Sequence, residues 1–455
     1  MASSASEQLA SNMSIGAFGK AKELQKRILF TLMILIIYRI GTFIPVPGVN
    51  TEAIADLFKQ GSNTGLGGLA GKMNMFSGGA VERMAIFALN VMPYITASII
   101  MTLMKGSIAS LKELDKDGEQ GRKQINQYTR YLTVFFAAFQ AFGISRGLQG
   151  QEGLVYNPGL FFEATCILTL VGGTMFLMWM GEQITARGIG NGVSLIILAG
   201  IIAELPKAIF FTLDLSRQDI LDSYVIGLVM IIAVALTLLI VYVERAQRRL
   251  LVQYPKRQVA GGKMFGGDSS FLPLKLNAAG VIPPIFASAL LMLPAVAGQF
   301  FVASGPGWVR TMLTLIGPGS AGYLILYSAL IIFFCFFYVP YVFKPEDTAD
   351  NLRQHGGFLP GIRPGARTAE YMSYVLNRLT FIGAIYVAFV CVLPEYFLSQ
   401  NKDIPPSVAV LIGGMSLLII VSVTLDTVAQ IQSHLVAHQY EGLIKKSRMG
   451  RRRNR

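Results

Sequence analysis

Residues 160–181 read "LFFEATCILTLVGGTMFLMWMG" and carry one charged side chain, Glu163, near the start. About 20 mostly apolar residues in a helix cross the hydrocarbon core of a bilayer. A helix of that length on a water-soluble protein keeps a charged face, and this stretch has none. It predicts a membrane span. Nine further segments qualify, at about 26–44, 82–104, 129–148, 190–212, 223–243, 278–302, 320–343, 378–398 and 407–428.

The 455 residues are 53% hydrophobic and 14% charged, too little charge to cover the surface of a soluble protein this long. Cys166, Cys335 and Cys391 are scattered, each inside an apolar segment. This arrangement argues against a disulfide framework or a zinc site and predicts small packing residues. Residues 1–23 are polar, with no apolar core ending at a small-residue cleavage site. They are expected to form a retained cytoplasmic tail.

Net charge is +13, and its placement says more than its size. Of 39 Lys and Arg, 30 fall in the two tails and in alternate loops with their bordering span ends. Eight fall on the other side, and Arg39 lies within span 1. The positive-inside bias then places both termini in the cytoplasm and requires an even number of spans. Ten spans can form two five-helix halves joined through 203–222, and because five is odd the halves would be inverted.

Ionisable groups are nearly missing from the span centres. Arg39 is near the outer end of span 1, where it can snorkel to the interface. Glu163, Glu204 and Asp426 also sit near span ends, and His355, His434 and His438 lie in cytoplasmic segments. Ion-coupled carriers and proton relays place such groups at the midplane, so this pattern counts against them. Neither G-x-S-x-G nor a paired-carboxylate arrangement occurs in the spans. The chain is therefore not expected to be an enzyme, and no cofactor or metal is expected.

Two spans carry prolines that read as internal: Pro93 in "NVMPYITASII", and Pro283, Pro284 and Pro294 in "AGVIPPIFASALLMLPA". An interior proline removes a helix hydrogen bond and bends the axis. The sequence leaves open ordinary kinking or a helix that moves. Val91, Ile95 and Ile99 recur every four residues and share a face, which suits packing or a dewetting constriction.

"GLGGLAGKMNMFSGGA", residues 65–80, looks like a phosphate loop but is not one. A P-loop needs G-x-x-x-x-G-K-[ST] opening a helix on the nucleotide side. Here Leu66 precedes Gly71 by five positions, Met73 replaces the hydroxyl residue, and the stretch follows span 1 away from the cytoplasm. Two cytoplasmic loops, 244–277 and 344–377, are long, basic and punctuated by aromatic, Pro and Gly residues, as docking surfaces are.

An ordered series of motifs resembles the SecY family, the central subunits of the bacterial protein-conducting translocon. The series comprises "YRIGTFIPVPG" (38–48), "NMFSGGA" (74–80), "MPYITASII" (92–100), "QYTRY" (127–131), "GTMFLMWMGEQITARGIGNG" (173–192), "ERAQRR" (244–249), "LPLKLNAAGVIPPIFAS" (272–288), "TADNL" (348–352), "PGIRPG" (360–365) and "AQIQ" (429–432). The resemblance spans about residues 20–446. It implies an all-α polytopic membrane protein, with ten helices in two inverted halves closing like a clamshell around an hourglass pore.

Those halves would be 24–217 and 218–430, followed by a basic C-tail, 431–455. A pore ring would consist of Val91, Ile95, Ile99, Val193, Ile197, Ile285 and Ile419, its two valines making the seal looser. Residues about 62–77 would be a plug, with Leu69, Lys72, Met73, Asn74, Met75 and Phe76 its side chains. A lateral gate would involve Pro93, Thr96, Pro283 and Ser288, with spans 2 and 7 as moving helices. Arg248, Arg249, Lys256, Arg257 and Arg363 would dock a motor or ribosome.

The implied function is passage of unfolded secretory polypeptides and lateral release of apolar segments. The implied partners are SecE, SecG, the SecA motor ATPase, the ribosome, signal peptides and nascent chains, and membrane lipids. The implied location is the bacterial inner membrane. A small-solute secondary transporter is the alternative reading, and an intramembrane protease a third.

Overall fold

Glycines, prolines and charges cut the apolar runs into helices joined by short turns. The computed structural model describes residues 22–60, 71, 73–150, 153–217, 223–254, 257–258, 264–265, 269–301, 320–400 and 413–453. By internal contacts the chain divides into two units. The first is Met1–Ser62, Ala70–Lys207 and Ile419–Arg455, and the second Asn63–Leu69 and Ala208–Leu418.

The first unit contains α1 (Lys22–Gly41), α2 (Thr51–Gln60), α3 (Met92–Ser107), α4 (Ala109–Lys116), α5 (Glu119–Gln149), α6 (Leu160–Arg187) and most of α7 (Gly192–Arg217). Helices α3 and α6 both pack on α5, and α1 packs on α6. The second contains α8 (Ser223–Arg245), strands β1 (Gln247–Gln253), β2 (Arg257–Gln258), β3 (Met264–Phe265) and β4 (Ser269–Lys275), then α9 (Ile282–Phe301), α10 (Ala321–Val342), α11 (Pro345–Gln354) and α12 (Ala366–Gln400). Helix α13 (Gly414–Arg453) begins in the second unit and continues in the first.

Each of the ten expected spans overlaps one of these helices. Among the described residues six helical segments are long and apolar enough to cross a membrane, or seven if the bent pair Met92–Gly106 and Ala109–Asp115 counts as one. The shortfalls have local causes. Lys26, Arg27 and Arg39 bracket the apolar part of α1, and Thr, Gln and Ser dilute that of α5. The apolar part of α9 counted among the described residues runs only over Ile282–Leu291.

Span 2 starts ten residues later than the apolar run suggests. Residues 84–86 bridge to 44–46 through a turn, with Met84 at φ of 45° and Ala85 opposite Pro45: Val46 N donates to Met84 O and Ile86 N to Ile44 O, both at 2.9 Å. Met84, Phe87, Ala88 and Leu89 are buried there without being helical. Two glycines admit this segment. A Cβ on Gly41 would lie 2.0 Å from the Phe87 ring, and one on Gly173 would lie 2.1 Å from Ile86 O.

The prolines also read differently in place. Pro93 occupies the first turn of α3, and Pro283 and Pro284 follow Ile282 at the start of α9. First-turn N–H groups have no intrahelical acceptor, so these prolines start helices and do not bend them. Pro294 lies where side chains are outside the described set. By position Pro294 falls inside α9, as read from the sequence, and interior prolines also occur at Pro206 in α7, Pro340 in α10 and Pro394 in α12. All three cysteines are free and buried, as packing residues are.

The loop 244–277 holds a β-hairpin that the helical reading of the chain missed. Strands β1 and β4 pair antiparallel, from Gln247 opposite Lys275 to Gln253 opposite Ser269. Inward-facing Leu250, Val252 and Leu274 join Leu359, Met372, Val375 and Leu379 in one apolar core. Gln253 and Phe358 exchange two backbone hydrogen bonds of 2.9 Å, so the two long basic loops form a single platform.

Candidate functional site

The segment expected to be the plug is described at residue 71 and from Met73 onward; Leu69 and Lys72 lie outside the described residues. Met73–Phe76 form a helical turn. It ends as Ser77 N bonds Met73 O at 3.0 Å and Gly79 N bonds Asn74 O at 3.0 Å. Gly78 and Gly79 then take φ of 65° and 82°, the left-handed region that glycine enters without a Cβ clash.

Three consecutive carbonyls of this turn are held by side chains from elsewhere in the first unit. Phe76 O accepts from Asn90 Nδ2. Ser77 O accepts from Tyr38 Oη at 3.2 Å, and Gly78 O accepts from Arg39 Nη1 at 2.6 Å. Arg39 thus turns onto the segment and does not only reach for the interface. Its guanidinium and that of Arg83 lie 4.9 and 4.2 Å from the centre of the Phe43 ring. A hydrogen bond from a charged donor contributes about 1.5–3 kcal/mol, against about 0.5–1.5 for a neutral one. Arg39 is therefore the strongest of the three holds.

Side chains pin the segment from its other edge. Asn74 Oδ1 accepts from Glu82 N at 2.9 Å, and Asn74 Nδ2 donates to Glu82 Oε2 at 3.3 Å. Lys207 Nζ donates to the same Glu82 oxygen at 2.9 Å and stands 3.9 Å from Glu204. Beneath the turn α7 presents Gly200. A Cβ there would meet Phe76 O at 2.5 Å, Tyr38 Oη at 3.0 Å and Gly78 N at 3.2 Å. Phe76 itself is buried, while Met73, Asn74 and Met75 are partly exposed.

Asn90, with φ of 50°, immediately precedes Val91, so this hold is covalently joined to the first expected ring residue. Val91 is the N-cap of α3, and Ile95 N donates to Val91 O at 3.0 Å. Val91, Ile95 and Ile99 lie one above another at helical spacing and are buried. Ile197 on α7, Ile285 on α9 and Ile419 on α13 are buried too. Val193 is half-buried, its Cγ2 against the space where Gly181 lacks a Cβ.

Of the expected gate hydroxyls, Thr96 Oγ1 donates to Met92 O at 3.1 Å and Ser288 Oγ to Ile285 O at 2.9 Å. Both bonds stay within the residue's own helix. On the platform of the second unit, Arg248, Arg249 and Arg363 are exposed. Gly361 and Gly365, with φ of 79° and 102°, flank Arg363, and Thr368 Oγ1 donates to Arg363 O at 3.0 Å. These contacts hold the arginine's backbone in a tight turn with the side chain outward. Lys256 lies outside the described residues, and Arg257 is described only as paired in β2 with Phe265.

Tyr38, Arg39, Asn90 and Gly200 were not singled out from the sequence as contacts of the segment expected to be the plug. A lone cation in an apolar run and an asparagine before a proline-started helix were the available signals.

A family model described as SecY matches residues 85–428. The Protein translocase subunit SecY of Escherichia coli K12 is 48% identical over 437 residues, covering 95% of this chain and 96% of the relative. The fold is similar to a solved channel in which the SecY plug domain is described as stabilising the closed state and maintaining a membrane seal (TM-score 0.63, 18% identity, 90% of this chain and 92% of that one). It is also similar to Sec61 in the canine ribosome–channel complex from the endoplasmic reticulum (TM-score 0.60, 18% identity, 90% and 92%). With that identity over nearly its whole length, the chain belongs to the SecY family of protein translocase subunits.

Proposed function

We propose that the chain is the pore-forming subunit of a protein-conducting channel, passing unfolded secretory polypeptides across the membrane and releasing hydrophobic segments sideways into lipid. The observation that carries this reading is the grip on three consecutive carbonyls, Phe76 to Gly78, by Asn90, Tyr38 and Arg39. A reversible seal needs an element that is held when idle and released at modest cost. Several hydrogen bonds, each small in net worth, meet that need.

In this reading Val91, Ile95, Ile99, Val193, Ile197, Ile285 and Ile419 form an apolar constriction that dewets against ions and conforms to any polypeptide. Leu69, Lys72 and Met73–Phe76 belong to the plug. Thr96 and Ser288, near Pro93 and Pro283, set how apolar a segment must be to leave sideways. The exposed Arg248, Arg249 and Arg363, with Lys256 and Arg257, receive a cytoplasmic driver: the SecA motor, or the ribosome, which accompanies the canine Sec61 relative. SecE and SecG complete the channel. The protein sits in the bacterial inner membrane with both termini cytoplasmic.

ATP hydrolysis belongs to the motor, in keeping with relatives that are named translocase subunits. The solute-transporter alternative finds no support among them. The test is reconstitution of the purified channel with its small subunits and motor. A secretory precursor should become protected from added protease in an ATP-dependent way. Uptake of small solutes without precursor protection would overturn the reading.

A further inference from the structure

Helix α12 has 35 residues, about 52 Å at 1.5 Å per residue, far more than a bilayer core requires. Its first third belongs to the platform, where Met372 and Val375 enter the apolar core shared with the β-hairpin. Past that point the surface changes character: Phe381, Ile382, Ile385 and Phe389 are exposed, each by half or more. A face of that kind is at home against acyl chains. Arg378 sits at the transition, where the helix passes from polar platform to apolar face.

Between α10 and α12, at this level, lies an open groove of about 490 Å³, lined by Phe336, Tyr374, Asn377, Arg378, Phe381 and Ile382. Arg378 is exposed and stacks its guanidinium 4.3 Å from the centre of the Tyr374 ring. Nearby arginines have carboxylate partners: Arg367 pairs with Glu370 at 3.4 Å and Arg353 with Asp350 at 3.7 Å. Arg378 has no carboxylate partner among the described residues. An unpaired, planar, fivefold donor above an apolar cleft is complementary to a phosphodiester carrying acyl chains. Basic pockets between membrane helices on the cytoplasmic side take anionic head groups for this reason.

We propose that this groove is a binding site for one anionic glycerophospholipid of the cytoplasmic leaflet, its phosphate on Arg378 and an acyl chain along Phe336, Phe381 and Ile382. The proposal rests on α12 entering the membrane from the cytoplasmic side and is independent of polypeptide conduction.

The test counts lipids bound to the purified, detergent-solubilised channel by native mass spectrometry during titration with phosphatidylglycerol or phosphatidylcholine. The wild type should prefer phosphatidylglycerol. Arg378→Gln should weaken that lipid about fivefold, the weight of one basic residue near an anionic surface, while leaving phosphatidylcholine unchanged. Arg378→Lys should keep most of the preference, and Phe381→Ala should weaken both lipids.

Equal affinity of the wild type for the two lipids overturns the proposal, as does unchanged phosphatidylglycerol affinity in Arg378→Gln. Displacement of the lipid by millimolar inorganic phosphate would reduce the site to one for a free anion and also overturns it. A photoreactive residue at position 381 in native membranes should label lipid, and labelling of a protein instead assigns the groove to a subunit and refutes the lipid. The wild-type preference and the phosphate competition need no variant, so they decide the matter even if Arg378→Gln fails to fold.

Discussion

Replacing Gly200 by alanine tests the hold on residues 76–78, the proposed plug, at its tightest point. The added carbon would stand 2.5 Å from Phe76 O and 3.2 Å from Gly78 N, both backbone atoms that cannot rotate away. Ordinary contact begins about 1 Å farther out, so the turn must lift from α7 or α7 must bow. Lifting the turn stretches the bonds that Asn90, Tyr38 and Arg39 make to its carbonyls. Overpacking of this kind costs about 1–3 kcal/mol, which shifts the balance toward the released plug by about 5- to 150-fold. The assay is ion leak of the idle channel in planar bilayers. Gly172→Ala is the control, because nothing lies within 4 Å of a Cβ there, and it should leave the leak unchanged. A Gly200→Ala channel that is folded, active in translocation and no leakier than wild type would refute the claim that this contact seats the plug.

Three further outcomes follow from the same geometry. Arg39→Ala should raise idle leak more than Tyr38→Phe, because a charged donor to Gly78 O outweighs a neutral one to Ser77 O; the reverse order in the same assay contradicts the ranking. Val91→Ile with Val193→Ile should narrow the constriction and lower single-channel leak, Val193 having to fit beside Gly181; a leak equal to wild type counts against a looser seal. Arg363→Glu should abolish motor-driven translocation in proteoliposomes while the protein still inserts, since the side chain is exposed and its turn is fixed by backbone contacts; normal translocation removes Arg363 from the docking surface.

The spans were legible because membrane crossing depends on length and apolarity, which need no knowledge of neighbours. Residues 82–91 were not, although they are as apolar as the helix that follows. Hydrophobicity says that a segment is buried, but not whether its backbone bonds are made within a helix or, as here, to residues 44–46. One signal was present: Pro93 is suited to a helix's first turn, and reading it as interior misplaced both the helix start and the bend. The hairpin carried a comparable signal. Leu250 and Val252 alternate with outward residues in "QRRLLVQ", a period-two pattern easily overlooked inside a basic loop.

The contacts that hold residues 76–78 were hidden for a different reason. Tyr38, Arg39 and Asn90 grip backbone carbonyls, and every residue type has one. A hold of that kind places almost no demand on the side chains of 76–78, so no motif in the gripped segment can announce it. The demands fall on the groups doing the gripping and on the space they need. Gly78 must turn with positive φ, and Gly200 must let the turn approach. Arg39 must stay within 2.6 Å of a carbonyl 39 positions away, a separation at which local pattern carries no information. The same feature suits a plug that has to leave and return. Carbonyls exchange these donors for water without exposing an unpaired charge of their own, and even the strongest of the bonds, from Arg39, is worth only about 1.5–3 kcal/mol. Such a hold on the backbone can be specific in register and cheap to release at once, whereas the buried Phe76 side chain is the part of the turn whose release costs apolar burial.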